Sequence, residues 1–145
     1  MKRKKIKKVT IPENIGRRYF KVYDAVFGRR VHVLLNHTPE QYAKWLNKVD
    51  ARDVGTKDFD DFAGFSSTIA VRDKPTEFLI YVRHFNWAIK CQGTLIHEIV
   101  HTVIKIWDSN NIPHTYDTQE FLAHSIGNMY EDIARKLLVP LKDKK

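Results

Sequence analysis

Cysteine is nearly absent. The single Cys91 excludes an intramolecular disulfide and suits a reducing compartment, and it reads as a small packed thiol just ahead of a helix. Long apolar runs are missing too. No stretch approaches the roughly 20 residues of a membrane span, and charge breaks the longest ones, so no membrane partner is expected. The basic opening Met1–Lys8 has no apolar core behind it and does not read as a secretory signal, which makes a cytoplasmic location the expectation. There is no internal repeat. At 145 residues the chain holds one domain with a real core, with 43% hydrophobic and 29% charged residues, ordinary proportions for a globular fold.

The net charge of +8 is unevenly placed. Residues 1–8 carry six Lys or Arg and no acid, and residues 141–145 carry three Lys and one Asp, so residues 9–140 are formally neutral. The basicity therefore belongs to two tails, 1–10 and 141–145, flanking a domain over 11–140. Solvated, disordered tails are the default for such runs; a nucleic-acid arm at residues 2–8 is the weaker reading, since no aromatic residue interleaves there.

Pro12 and Gly16 mark the entry to the domain. Tyr19 to Phe27 and Val31 to Leu35 are rich in β-branched and aromatic residues and flank Gly28-Arg29, which predicts two strands. Thr38-Pro39-Glu40 combines an N-cap, a first-turn proline and a first-turn acid, and Tyr42, Leu46 and Val49 follow at helical spacing, predicting a helix from 39 to about 49. Asp53 to Asp61 reads as an acidic loop. Phe65 to Val71 and Phe78 to Arg83 read as strands joined around Asp73-Lys74-Pro75. Gly93 to Trp107 and Gln119 to Leu138 have 3.6-residue periodicity, separated by a breaker from Asp108 to Pro113. The expected fold class is α+β, a small mixed or antiparallel sheet followed by two packed helices. Trp45, Trp87 and Trp107 are expected in the core.

The first of those two helices contains His97-Glu98-Ile99-Val100-His101. Four residues turn an α-helix about 40° past a full turn, so His97 and His101 project from one face and can share a metal. Glu98 points about 100° away from His97, beside the metal, where it can take a proton from activated water. Leu95, Ile96, Ile99, Val100, Val103, Ile104 and Ile106 fill one arc of the wheel, the expected core side. His97, His101, Thr94, Lys105, Glu98 and Thr102 fill the complementary arc, suited to a cleft wall.

A catalytic zinc needs a third protein ligand and an open position. His114, Asp117, Glu120 and His124 all lie downstream as candidates. Asp117-x-x-Glu120 also has the spacing of a capping box, which would give Glu120 a structural task instead. On the last helix Glu120 and His124 share a stripe opposite the apolar Leu122, Ile126, Met129, Ile133 and Leu137, while Ala123 and Gly127 would permit close helix approach.

Gly93-Thr94-Leu95-Ile96-His97-Glu98 and Glu120-Phe121-Leu122-Ala123 together resemble the gluzincin group of HExxH metallopeptidases, and especially the compact predicted metallopeptidases encoded by phages and prophages. The resemblance covers about residues 92–127, with a looser match in the upstream strands. It implies a zincin-like fold, a single Zn2+ held by His97, His101 and Glu120, Glu98 as general base, a peptide or protein substrate, and a phage-infected or lysogenic host cell as the setting. One departure stands out. Thermolysin-like members carry an Asp one turn after the ligand Glu, orienting a zinc-bound His; here that place is His124, which could stabilise an oxyanion, ligate zinc or line the cleft. Tyr116 and Tyr130 are further candidate hydroxyl donors, each more commonly a packing residue. His84 is expected at the surface, and His32 and His37 carry no signal. A zinc-stabilised binding or regulatory protein without turnover is the rival reading of the same motif.

Overall fold

The structure is a computed structural model that describes residues 15–50 and 63–139. The tails and the acidic stretch 53–61 lie outside the described residues. Strand β1 (Arg18–Tyr23) buries Val22 while Lys21 and Tyr23 face solvent. It ends four residues earlier than its composition predicts. The Asp24 carboxylate accepts from the backbone N–H of Val26 (3.2 Å) and Phe27 (2.6 Å), folding the segment into a turn that Gly28 closes at φ 64°. Strands β2 (Arg30–Leu35) and β4 (Glu77–Val82) are buried almost throughout, and they form the centre of the sheet. Strand β3 (Gly64–Ile69) and β1 are its edges.

The order is β1-β2-β4-β3. β2 runs parallel to β4, with Val33 opposite Ile80, whereas β1–β2 and β3–β4 are antiparallel. A parallel pair requires a crossover, and helix α1 (Pro39–Val49) supplies part of it between β2 and β3. Its start is a full capping box: Thr38 Oγ1 accepts from Gln41 N (3.2 Å) and Gln41 Oε1 accepts from Thr38 N (3.0 Å).

Alternating strand residues divide into two cores. On one face Leu34, Leu79 and Tyr81 meet Tyr42 and Leu46 of α1. On the other, Val31, Val33, Phe78, Ile80 and Val82 meet helices α2 (Ile89–Ser109) and α3 (Gln119–Leu137). Ile99, Val103, Ile106 and Ile133 are fully buried there, each contributing roughly 1.5–3 kcal/mol of burial. The described residues thus form an α+β structure of a four-stranded mixed sheet and three helices. Trp107 is buried and Trp45 and Trp87 are half-buried against the two cores. No helix among the described residues is long and apolar enough to cross a membrane.

Candidate functional site

Helix α2 begins at Ile89, four residues before the predicted start at Gly93. Gly93 lies exposed within it, and Cys91 lies in its first turn, partly buried. The helix carries the HExxH residues along the sheet, touching β3, β4 and α3. His97 Nε2 and His101 Nε2 lie 3.1 Å apart, their ring centres 4.6 Å apart and their planes at 78°. Both rings are exposed. At that distance one ring N–H can donate to the other nitrogen, or both lone pairs can meet on a shared cation.

Glu98 lies under this pair. It is only 6% exposed, with Oε1 4.0 Å from His97 Nε2. Burial pushes its carboxyl above the usual carboxylate range, opposed by the positive charge that His97, His101 and Lys105 can bring. Here the wheel needs correction. The buried face of α2 comprises Leu95, Glu98, Ile99, Thr102, Val103, Ile106 and Trp107, whereas Ile96 is 42% exposed and Val100 and Ile104 are half-buried. The helix is rolled so that Glu98 and Thr102 point inward.

Strand β3 passes close to this inward side. At Gly64 an added Cβ would lie 2.8 Å from the Tyr81 carbonyl oxygen, 3.2 Å from Thr94 Cγ2 and 3.4 Å from Glu98 Cγ. The Tyr81 carbonyl is what restricts this position to glycine, and the strand passes Glu98 in ordinary contact with its Cγ. Two turns along α2 from Glu98, Lys105 Nζ donates to Ser66 O (2.7 Å) and Ser66 Oγ (2.8 Å) on the same strand. Burial lowers the Lys105 pKa and Glu98 raises it. On the helical wheel Lys105 shares the motif face, four residues from His101 and seven from Glu98, and that spacing is its signal in the sequence. Gly64 and Ser66 had no such signal, because strand register decides what they touch.

On α3, Glu120 Oε1 lies 3.3 Å from His124 Nε2, and both side chains are largely exposed. The capping-box reading of Glu120 does not hold. The N-cap is Thr118, whose own side chain makes no cap bond; its hydroxyl instead donates to Pro113 O (2.8 Å) and accepts from Thr115 N (2.9 Å). Among the described residues, no three His, Cys, Asp or Glu side chains are gathered into a ready metal-binding group. The histidine pair is formed, and Glu120 stands apart with His124.

The remaining candidates have other attachments. His114 is paired with Asp108 (2.8 Å) and stacked on Trp107. Asp117, Tyr116 and His84 are exposed, and Tyr130 donates its hydroxyl to Gln92 Oε1 (3.0 Å). Close helix approach at Ala123 and Gly127 is not found, because Ala123 is exposed and an added Cβ at Gly127 meets nothing within 4 Å. His32, silent in the sequence, is 3% exposed and bonded at both ring nitrogens, to Tyr19 Oη (2.8 Å) and Glu77 Oε1 (3.2 Å). Comparison with protein-family models, curated proteins and solved structures finds no match to the chain.

Proposed function

We propose that the chain is a zinc-dependent peptidase of zincin-like fold. The observation that supports this most is the 3.1 Å separation of His97 Nε2 and His101 Nε2 above a buried Glu98. Two nitrogens bound at about 2.0–2.1 Å to one tetrahedral zinc stand roughly 3.3 Å apart, so the pair fits two ligand positions. His97 and His101 would hold the ion, and Glu120 would complete the set in keeping with the gluzincin resemblance. Zinc, when bound, would acidify a water molecule and polarise the scissile carbonyl.

The chain's own residues supply the proton handling. Glu98 removes the proton from the attacking water as its oxygen bonds to the carbonyl carbon. It then delivers that proton to the departing amine as the C–N bond breaks. A carboxyl whose burial raises its proton affinity suits both halves of that task. His124 is the candidate donor to the developing oxyanion.

The test is to purify the full chain, measure bound zinc by mass spectrometry and assay peptide cleavage beside Glu98→Gln. Stoichiometric zinc in both proteins is expected, with hydrolysis about 10²–10⁴-fold slower in the variant. Full activity in Glu98→Gln would sink the mechanism, and zinc-free protein after reconstitution would sink the site. Stoichiometric zinc without cleavage by either protein would favour the zinc-stabilised binding protein.

A further inference from the structure

Away from the HExxH pair, at the end of the sheet where β2 and β4 begin, the β1–β2 and β3–β4 turns border an open cavity of about 470 Å³. That is within the roughly 300–1,000 Å³ range of small-molecule sites. Its walls include three cationic side chains, Arg29, Arg30 and Lys74, one carboxylate, Glu77, and the rings of Tyr23 and Phe27. Residues 9–140 are formally neutral, so three cations at one cavity are a local concentration of charge.

Two of the cations are held in place. Arg30 sits with its guanidinium carbon 6.0 Å from the centre of the Tyr23 ring and its NH1 3.3 Å from Glu77 Oε1. Glu77 is fixed in turn by His32, and His32 by Tyr19, so a hydrogen-bonded chain running across the sheet to its β1 edge sets the guanidinium's direction. Arg29 is anchored more loosely, donating to Asn110 Oδ1 at the end of α2 (3.4 Å). Arg30 is balanced by Glu77, which leaves Arg29 and Lys74 to face an incoming anion. Asp24 caps its own turn through its carboxylate and does not line the cavity. Glu77 is 8% exposed and its Oε2 is buried, so the carboxylate serves this wall by holding Arg30 and not as an acceptor open to the cavity.

We propose that this cavity binds a nucleoside monophosphate, with the phosphate between Arg29 and Lys74 and the base against Tyr23 and Phe27. Guanidinium and ammonium groups suit phosphate oxygens. Aromatic walls suit a planar base. An inorganic anion would use only the first of these features, and an uncharged nucleoside only the second. The site shares no residue with the HExxH centre, so it stands whether or not the chain is a peptidase.

The experiment titrates AMP, adenosine and inorganic phosphate into the full chain by calorimetry, at low salt and with EDTA present. The wild type is run beside Arg29→Gln/Lys74→Gln, with Lys74→Gln alone serving if the double variant does not fold. AMP is expected to bind at least tenfold more tightly than either adenosine or phosphate. The double variant should weaken AMP about tenfold and leave adenosine unchanged; Lys74→Gln alone should weaken it measurably. AMP no tighter than adenosine would overturn the phosphate subsite. Phosphate as tight as AMP would overturn the nucleoside assignment. AMP affinity unchanged by the substitutions would place any binding elsewhere, including the basic tails, and would overturn the site.

Discussion

Lys105 on α2 donates from one ammonium to both the carbonyl and the hydroxyl of Ser66 on β3, at 2.7 and 2.8 Å. This contact fastens an edge strand to the helix that carries the candidate centre, two turns along from Glu98. Edge strands have one neighbour to hold them, so such a contact matters more here than it would at the centre of the sheet. Lys105→Met keeps most of the stem's packing and removes the donors, leaving the Ser66 carbonyl without this partner. We expect a loss of about 1–3 kcal/mol in urea unfolding and faster amide exchange across Gly64–Ile69. A change below about 0.5 kcal/mol with unaltered exchange would show that the strand is held by its pairing with β4 alone.

The glycines of the two layers should respond oppositely to alanine. At Gly64 the new Cβ would meet the Tyr81 carbonyl at 2.8 Å, a backbone atom of the central strand that cannot simply rotate away. Gly64→Ala is expected to destabilise the protein by about 1–3 kcal/mol and to lower any hydrolysis by displacing β3 from Glu98. Gly127 lies mid-helix on α3, with nothing within 4 Å of an added Cβ. Gly127→Ala should raise stability by about 0.8–1 kcal/mol through helix propensity. Thermal melts of the two variants check both signs, and a stabilised Gly64→Ala would contradict the close pass of the strand.

Stability should also fall on mild acidification, through two buried histidines. Burial lowers the His32 pKa, with Glu77 pulling it upward and Lys21 and Arg30 adding to the fall. Burial likewise lowers that of His37, opposed by its hydrogen bond to Leu35 O, with Arg17 adding to the fall. Each imidazole therefore takes up its proton more readily in the unfolded chain, whose value is about 6.5. Above that value both states are neutral and the effect vanishes. As pH falls through it the unfolded state binds more protons, and stability declines by at most about 1.4 kcal/mol per pH unit for each histidine. Urea unfolding between pH 8 and 5.5, with EDTA present, should show this decline and a shallower one in His32→Gln. Stability that is flat or rises over that interval would contradict the direction.

The local parts of this architecture are legible in the sequence, and the non-local ones much less so. Thr38, Pro39 and the apolar spacing that follows announce α1 within a few residues, and α1 spans the range so predicted. The two histidines of α2 share a face because helix geometry alone requires it. Glu98's burial is different in kind: it depends on how α2 packs against strands and a helix distant in sequence, among them β3 with Gly64 beside Glu98 Cγ, and no helical wheel contains that information. His32 is silent for the same reason. Its burial depends on the sheet beneath it and on Trp45 of α1, whose ring centre is 5.2 Å away. The parallel alignment of β2 with β4 also follows from the crossover path, where composition allowed either a mixed or an antiparallel sheet.

Which residue would complete the proposed zinc site can be decided by substitution. Glu120 Oε1 lies 3.3 Å from His124 Nε2 across one helical turn, with side chains 79% and 72% exposed respectively. An exposed pair of this kind contributes little to stability, so releasing Glu120 to a metal costs little. His114, by contrast, is held between Asp108 and the Trp107 ring. Zinc affinity measured by competition with a chromogenic chelator should therefore fall at least tenfold in Glu120→Ala and change little in His114→Ala. In His124→Ala, affinity should hold while turnover drops, if that imidazole serves the oxyanion. Equal zinc affinity in Glu120→Ala and the wild type would remove Glu120 from the ligand set. A loss confined to His124→Ala would transfer the position to that imidazole and with it end the gluzincin reading of the centre.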